Sequence, residues 1–172
     1  QDALAAATTG ALNTLVAVVL PMGTVFIVQS FAAQLAGQED WIAARRYAWY
    51  GLILAAATML IALAAVPLVG PALSLLPHEP RIHDLMASYV AIRLFSVGAI
   101  IGTEALGNWY GGLGNTWMQM IAGLLAMVSN VLLNWILIGG NLGAPAMGVD
   151  GAALASAIAS WLGFAVVGRA VL

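Results

Sequence analysis

The chain has 172 residues, of which 63% are hydrophobic and only 7% charged, with a formal net charge of −2 and a mean hydropathy of +1.00. An average soluble domain carries roughly 25% charged residues, so this composition reads as an integral membrane protein. The basic residues are five arginines and no lysine, too few for a nucleic-acid surface, and the absence of cysteine excludes disulfides, thiol catalysis and thiolate metal sites.

The first ten residues, QDALAAATTG, include neither an initiating methionine nor a positively charged leader, and read as the interior of a longer protein. From Ala3 to Gln38 no residue is charged, a run longer than the ~20 residues that span hydrocarbon. A helix is expected over about 3–36, kinked near Pro21 and Gly23. Asn13 and Thr24, three turns apart, share a face of it, as interhelical hydrogen-bonding groups or as ligands.

QLAGQEDWIAARRYAWY, from Gln34 to Tyr50, holds the densest charge in the chain. It is expected to be a loop with an amphipathic lead-in, its Trp41, Tyr47, Trp49 and Tyr50 lying at the membrane interface. A second helix follows over 47–76, with Pro67 and Pro71 near its exit, then a loop containing His78 and His83 without further metal ligands.

The third helix, expected over 82–110, is the most polar, because Arg93 and Glu104 both lie within it. On one continuous helix they would share a face about 16 Å apart. Intramembrane charges are functional candidates, since each costs at least ~2.5 kcal/mol at the bilayer centre, although Arg93 can snorkel toward the interface. Gly98 and Gly102, and Gly107 and Gly111, have the small-xxx-small spacing of close helix contacts. The turn GGLGNT (111–116) lacks the lysine and preceding strand of a phosphate loop, and is flanked by Trp109, Tyr110 and Trp117 as a second aromatic belt.

The fourth helix is expected over 116–139. Asn130 and Asn134 fall four apart on one of its faces, with Gly123 and Met127, and an amide in hydrocarbon must find a partner. A Gly/Pro-rich hairpin leads to a fifth helix over 151–172, striped with Gly151, Ala155, Ala159 and Gly163 on one side and Ala152, Ser156 and Ser160 beside it. Arg45, Arg46 and Arg169 lie on one side of the membrane and Arg81 on the other, which makes the first side cytoplasmic. No Ser/His pair, paired carboxylates or metal-ligand set is present to support an enzyme.

Three motifs carry a resemblance. QLAG (34–37) followed by Ala43 and Ala44, GLGNT (112–116) and GAPAMGVDGAALAS (143–156) are similar to the Q-x-x-G-x-G, G-L-G-x-T and G-x-P-A-L-G-V-x-G-A-A-L-A-T segments of MATE (multidrug and toxic compound extrusion) transporters. The resemblance implies an all-α polytopic membrane protein. Its five transmembrane helices would be the second to sixth of twelve, in two six-helix lobes, so that the first helix and the C-terminal lobe lie outside this chain.

The resemblance also implies a secondary antiporter that exports organic, often cationic, compounds or drugs against H+ or Na+, with no other cofactor. The implied partners are a small organic substrate and the lipid bilayer, with no nucleic acid, and the implied location is the bacterial inner membrane. In some members a coupling site joins an Asp of the first helix, an Asn and an Asp four apart on the fifth, and a Thr on the sixth. Asn130 matches that Asn, Asn134 replaces the Asp and Ser156 stands nearest the Thr. Since an amide exchanges no proton near neutral pH, the titratable group would lie elsewhere, with Glu104 as one candidate. A flippase of the same superfamily for lipid-linked substrates, and a non-transporting membrane scaffold, are the alternatives.

Overall fold

The computed structural model describes residues 2–74 and 80–169, all helix or connecting turn. In chain order, α1 is Asp2–Gly37, α2 is Trp41–Ala65, a 3-10 turn Val66–Leu68 leads into the short α3 (Val69–Leu73), α4 is Pro80–Leu94, α5 is Val97–Gly112, α6 is Trp117–Gly139, and α7 is Gly148–Arg169. His78 and the expected helix ends at Leu76 and Leu172 lie outside the described residues, as do the side chains of Asn13 and Arg81.

Among the described residues, Val18–Gly37, Trp41–Leu73, Trp117–Gly139 and Gly148–Arg169 are each long and apolar enough to cross a bilayer, and Ile82–Leu94 with Val97–Gly112 meets the same measure as a pair bent by 44°. The spanning helices are predominantly apolar, as they must be where hydrocarbon replaces water. In α6, Ala122 is the one buried residue, while Leu124, Val131 and Leu132 point outward.

The core forms around the bent pair. α5 packs against α1, α2 and α7, and α4 against α1 and α7. Val18 and Val25 of α1, Ala55 and Ala62 of α2, Val90 and Leu94 of α4, Val97, Ile101 and Ala105 of α5, and Ala153 of α7 meet in one buried cluster. The small-xxx-small expectation holds at Gly98 and Gly102, where an added Cβ would fall 2.7 Å from Met59 of α2 and 2.5 Å from Phe164 of α7. A polar tie joins α4 to the first turn of α7, where Ser88 donates to Asp150 Oδ1 at 2.6 Å.

Several sequence expectations need correction. The 34–50 segment is not a loop: only Gln38–Asp40 separate α1 from α2, and Arg45 and Arg46 lie within the first turns of α2. Asp40 starts the helix by accepting the Ala43 N–H at 2.9 Å, the role an N-cap carboxylate fills best. α1 continues through Pro21. Thr24 bonds Leu20 O of its own helix at 3.1 Å, so its hydroxyl makes no interhelical link.

Trp109 and Tyr110 are not an interfacial belt. Trp109 donates Nε1 to Ala44 O of α2 at 2.8 Å, and Tyr110 is buried. Trp117, Trp41, Trp49 and Tyr50 are exposed as a belt requires, while Tyr47 is half-buried and stacks on Phe31 at 4.9 Å.

The largest difference is at Phe95–Ser96, where the expected third helix breaks into α4 and α5. No proline causes it. Ser96 Oγ donates to Arg93 O at 2.7 Å and accepts from Arg93 Nη1 at 3.1 Å, a local side-chain bond that competes with the helical ladder. Trp161 of α7 donates Nε1 to Phe95 O at 3.0 Å, satisfying a carbonyl at the break. Arg93 and Glu104 therefore sit on different helical segments, and the shared face inferred from their spacing does not exist.

Candidate functional site

α6 and α7 form an antiparallel hairpin whose geometry places the polar residues. Gly140 ends α6 in the left-handed region at φ 71°, which glycine adopts without strain. Met147 N–H then bonds back to Leu137 O at 2.8 Å, bringing the chain onto α6 before α7 begins at Gly148, one turn earlier than expected. At Gly151 an added Cβ would lie 2.7 Å from Leu137 O, and at Gly163 one would touch Ala126 at 3.4 Å. The stripe expected from Gly151 to Gly163 is thus, at both ends, the surface that seats α7 on α6.

That close approach brings three of the four expected site residues together. Asn134 donates Nδ2 to Asn130 Oδ1 at 3.0 Å, and Asn130 donates Nδ2 to Ser156 Oγ of α7 at 3.0 Å. The three side chains form a line from α6 to α7, each part-buried. One acceptor in it is left over: Asn134 Oδ1 is buried and has no hydrogen-bond partner among the described residues. Ser160, one turn beyond Ser156, returns its hydroxyl to Ser156 O at 2.8 Å and takes no part. Gly123 and Met127, expected on the same face, are exposed and contribute no polar group.

Glu104 stands apart. It lies in α5, half-buried, and among the described residues its carboxylate has no hydrogen bond or ion pair; only its backbone carbonyl is engaged, by Asn108 Nδ2 at 2.8 Å. No bond connects it to the asparagine line. A second atom without a partner among the described residues, marked by no pattern in the sequence, is the buried hydroxyl of Tyr110.

Chemically, the line offers amide and hydroxyl groups. They neither donate nor take up a proton near neutral pH, and they present neutral oxygens to a cation or hydrogen-bond acceptors to a donor. Among the described residues no three His, Cys, Asp or Glu side chains gather into a metal site.

A family model described as MatE matches residues 1–136, a range that includes both asparagines. Similar curated proteins are the multidrug resistance protein NorM of Aliivibrio fischeri, 32% identical over 114 residues, which make up 66% of this chain and 25% of that protein, and NorM of Photobacterium profundum, 27% identical over 150 residues, 86% of this chain and 32% of that protein. A probable NorM of Bacillus anthracis is 32% identical over 105 residues, 61% of this chain and 23% of its own length. The chain thus spans between about a quarter and a third of these relatives.

A solved structure described as the inward-facing conformation of a multidrug resistance MATE family transporter of the MOP superfamily superposes with a TM-score of 0.82. It covers 98% of this chain and 38% of the other at 20% identity, a likeness of fold.

Proposed function

The chain belongs to the MatE family of transporters, and from that premise we propose that it is part of a secondary active antiporter that exports organic, often cationic, compounds in exchange for H+ or Na+ across a bacterial inner membrane. The relatives' names as multidrug resistance proteins support the substrate class. The observation that carries a local role is the line Asn134–Asn130–Ser156 with its unfilled acceptor. A buried, unsatisfied carbonyl is costly, about 1–3 kcal/mol, and such groups concentrate where a ligand or ion completes them.

In this reading Asn134 Oδ1 offers a neutral oxygen to the transported ion or to the substrate, and Asn130 and Ser156 hold the Asn134 amide in orientation. The line cannot itself exchange protons, so a coupling proton, if that is the ion, is carried by a carboxylate. Glu104 is the candidate within this chain.

The test uses the complete protein in drug-susceptible bacterial cells, with susceptibility and efflux of a fluorescent cationic dye followed across pH and Na+. The expected result is resistance and efflux driven by one of the two ions and reduced by Asn134→Ala. Absence of any ion-driven efflux would overturn the antiporter reading, and unchanged export by Asn134→Ala would overturn the role of the asparagine.

A further inference from the structure

Three surface hollows follow one another along the face where α5 lies between α2 and α7. At the end of α2 that begins the helix, Trp41, Ile42, Arg45, Arg46 and Trp49 line an open hollow of about 450 Å³. Trp49 is also a wall of the next, about 330 Å³, which Leu52, Leu106, Phe164 and Arg169 share. Leu52 and Phe164 in turn border the third, about 500 Å³ and wholly apolar, walled by Ala56, Met59, Gly98 and Trp161. Their shared walls link them into one groove whose described lining has three exposed arginines at one end and apolar or aromatic side chains along the rest.

Its dimensions suit one occupant. From Trp49 to Met59 α2 rises about 15 Å, half the ~30 Å hydrocarbon thickness, so the apolar part is as long as one leaflet. The floor exists because Gly98 and Gly102 let α5 lie low between α2 and α7, against Met59 and Phe164. Among the described residues, no Asp or Glu lines any of the three hollows.

We propose that this groove is a binding site for an anionic phospholipid of the cytoplasmic leaflet, its phosphate held among Arg45, Arg46 and Arg169 and one acyl chain lying between α2 and α7 as far as Trp161. The groove would hold the lipid against the bent α4–α5 pair, next to the Trp161–Phe95 bond. Guanidinium groups bind phosphate in a geometry an ammonium cannot copy, and the leaflet on the arginine-rich side is the one that carries anionic lipid. This site is separate from the α6–α7 asparagines and rests on the membrane orientation that puts Arg45, Arg46 and Arg169 on the cytoplasmic side.

The experiment is native mass spectrometry of the full-length protein in detergent, with phosphatidylglycerol or phosphatidylcholine of identical acyl chains added at equal concentration. Phosphatidylglycerol is expected to be retained preferentially. Each of Arg45→Gln, Arg46→Gln and Arg169→Gln should lower that preference about fivefold, the factor corresponding to ~1 kcal/mol per basic residue near an anionic surface. Ala56→Phe, which fills the exposed apolar hollow, should reduce retention of both lipids and leave the arginines in place. Equal retention of the two lipids, or a preference that survives the triple arginine replacement, would overturn the headgroup assignment. Undiminished retention by Ala56→Phe would overturn the acyl-chain groove.

Discussion

Asn130 reaches from α6 to Ser156 of α7 and donates to its hydroxyl at 3.0 Å, the side-chain hydrogen bond that ties these two helices together. Elsewhere the pair is held by small residues and apolar contact. Interhelical bonds of this kind in membranes average about 0.6 kcal/mol and reach about 1.7. A double-mutant cycle of Asn130→Ala and Ser156→Ala, read by denaturant unfolding of the purified protein, should return a coupling in that range. Ser156→Thr should retain most of it, because it keeps the hydroxyl. Additive single effects would show that the bond contributes nothing to the pairing.

Asn134 supplies a sharper separation of stability from function. Its Oδ1 is buried and unpartnered, and its Nδ2 is committed to Asn130. Replacing it by Leu keeps the branched shape and removes the orphaned acceptor, recovering about 1–3 kcal/mol, against the lost hydrogen bond of about 1 kcal/mol and the cost of leaving Asn130 Oδ1 without its donor. The opposed terms should leave Asn134→Leu unfolding close to the parent temperature while export falls. Activity lost without a matching loss of stability is typical of a residue held in place for function. A variant that loses stability and keeps export would reverse both halves of the argument.

Much of this arrangement could be read from the sequence, and the limits have physical causes. α6 was predicted to within a residue because aromatic and glycine punctuation flank an uninterrupted apolar run from Trp117 to Gly139. The four-residue spacing of Asn130 and Asn134 correctly placed them side by side. The motif resemblance pointed to the family, and to Ser156 as their neighbour.

What failed depended on single side chains acting on the backbone. The break at Ser96 needs a serine that bonds Arg93 O and a tryptophan 66 residues away that takes up the Phe95 carbonyl, and neither leaves a periodic trace. Arginines suggest a loop before α2, but at a membrane surface they fit the first turns of a helix capped by Asp40 equally well. Aromatic residues near a turn suggest a belt in the same way, yet Trp109 is held by Ala44 O.

The break itself is testable. Trp161→Phe keeps most of the aromatic area but removes the donor to Phe95 O, leaving a carbonyl at the bend without its bond. The expected loss is about 0.5–1.5 kcal/mol, seen as a lower unfolding temperature. Ser96→Ala removes both bonds to Arg93 and should be at least as costly, because Ser96 is fully buried and Arg93 Nη1 then lacks its acceptor. If both variants unfold like the parent, the 44° bend is fixed by packing around Val97 and Ile101 instead.

Two glycines with opposite surroundings complete the test of the α6–α7 hairpin. Gly23 in α1 has open space where a Cβ would go, and Gly23→Ala in a helix should stabilise by about 0.5–1 kcal/mol through the smaller entropy of the unfolded chain. Gly151 faces Leu137 O at 2.7 Å and Leu137 C at 2.8 Å, backbone atoms that cannot swing aside. Gly151→Ala must therefore push α7 away from α6 at its outer end, at a cost of about 1–3 kcal/mol by analogy with other overpacked contacts.

Ser156 lies on the same helix little more than a turn further along, so the displacement should also lengthen its bond to Asn130. Export should fall with stability in this variant, whereas in Asn134→Leu the two diverge. Measuring unfolding temperature and dye efflux for Gly23→Ala, Gly151→Ala and Asn134→Leu together separates the role of the hairpin contact from that of the unfilled carbonyl. A Gly151→Ala protein that exports normally would mean that the spacing of α6 and α7 is not what positions the asparagine line.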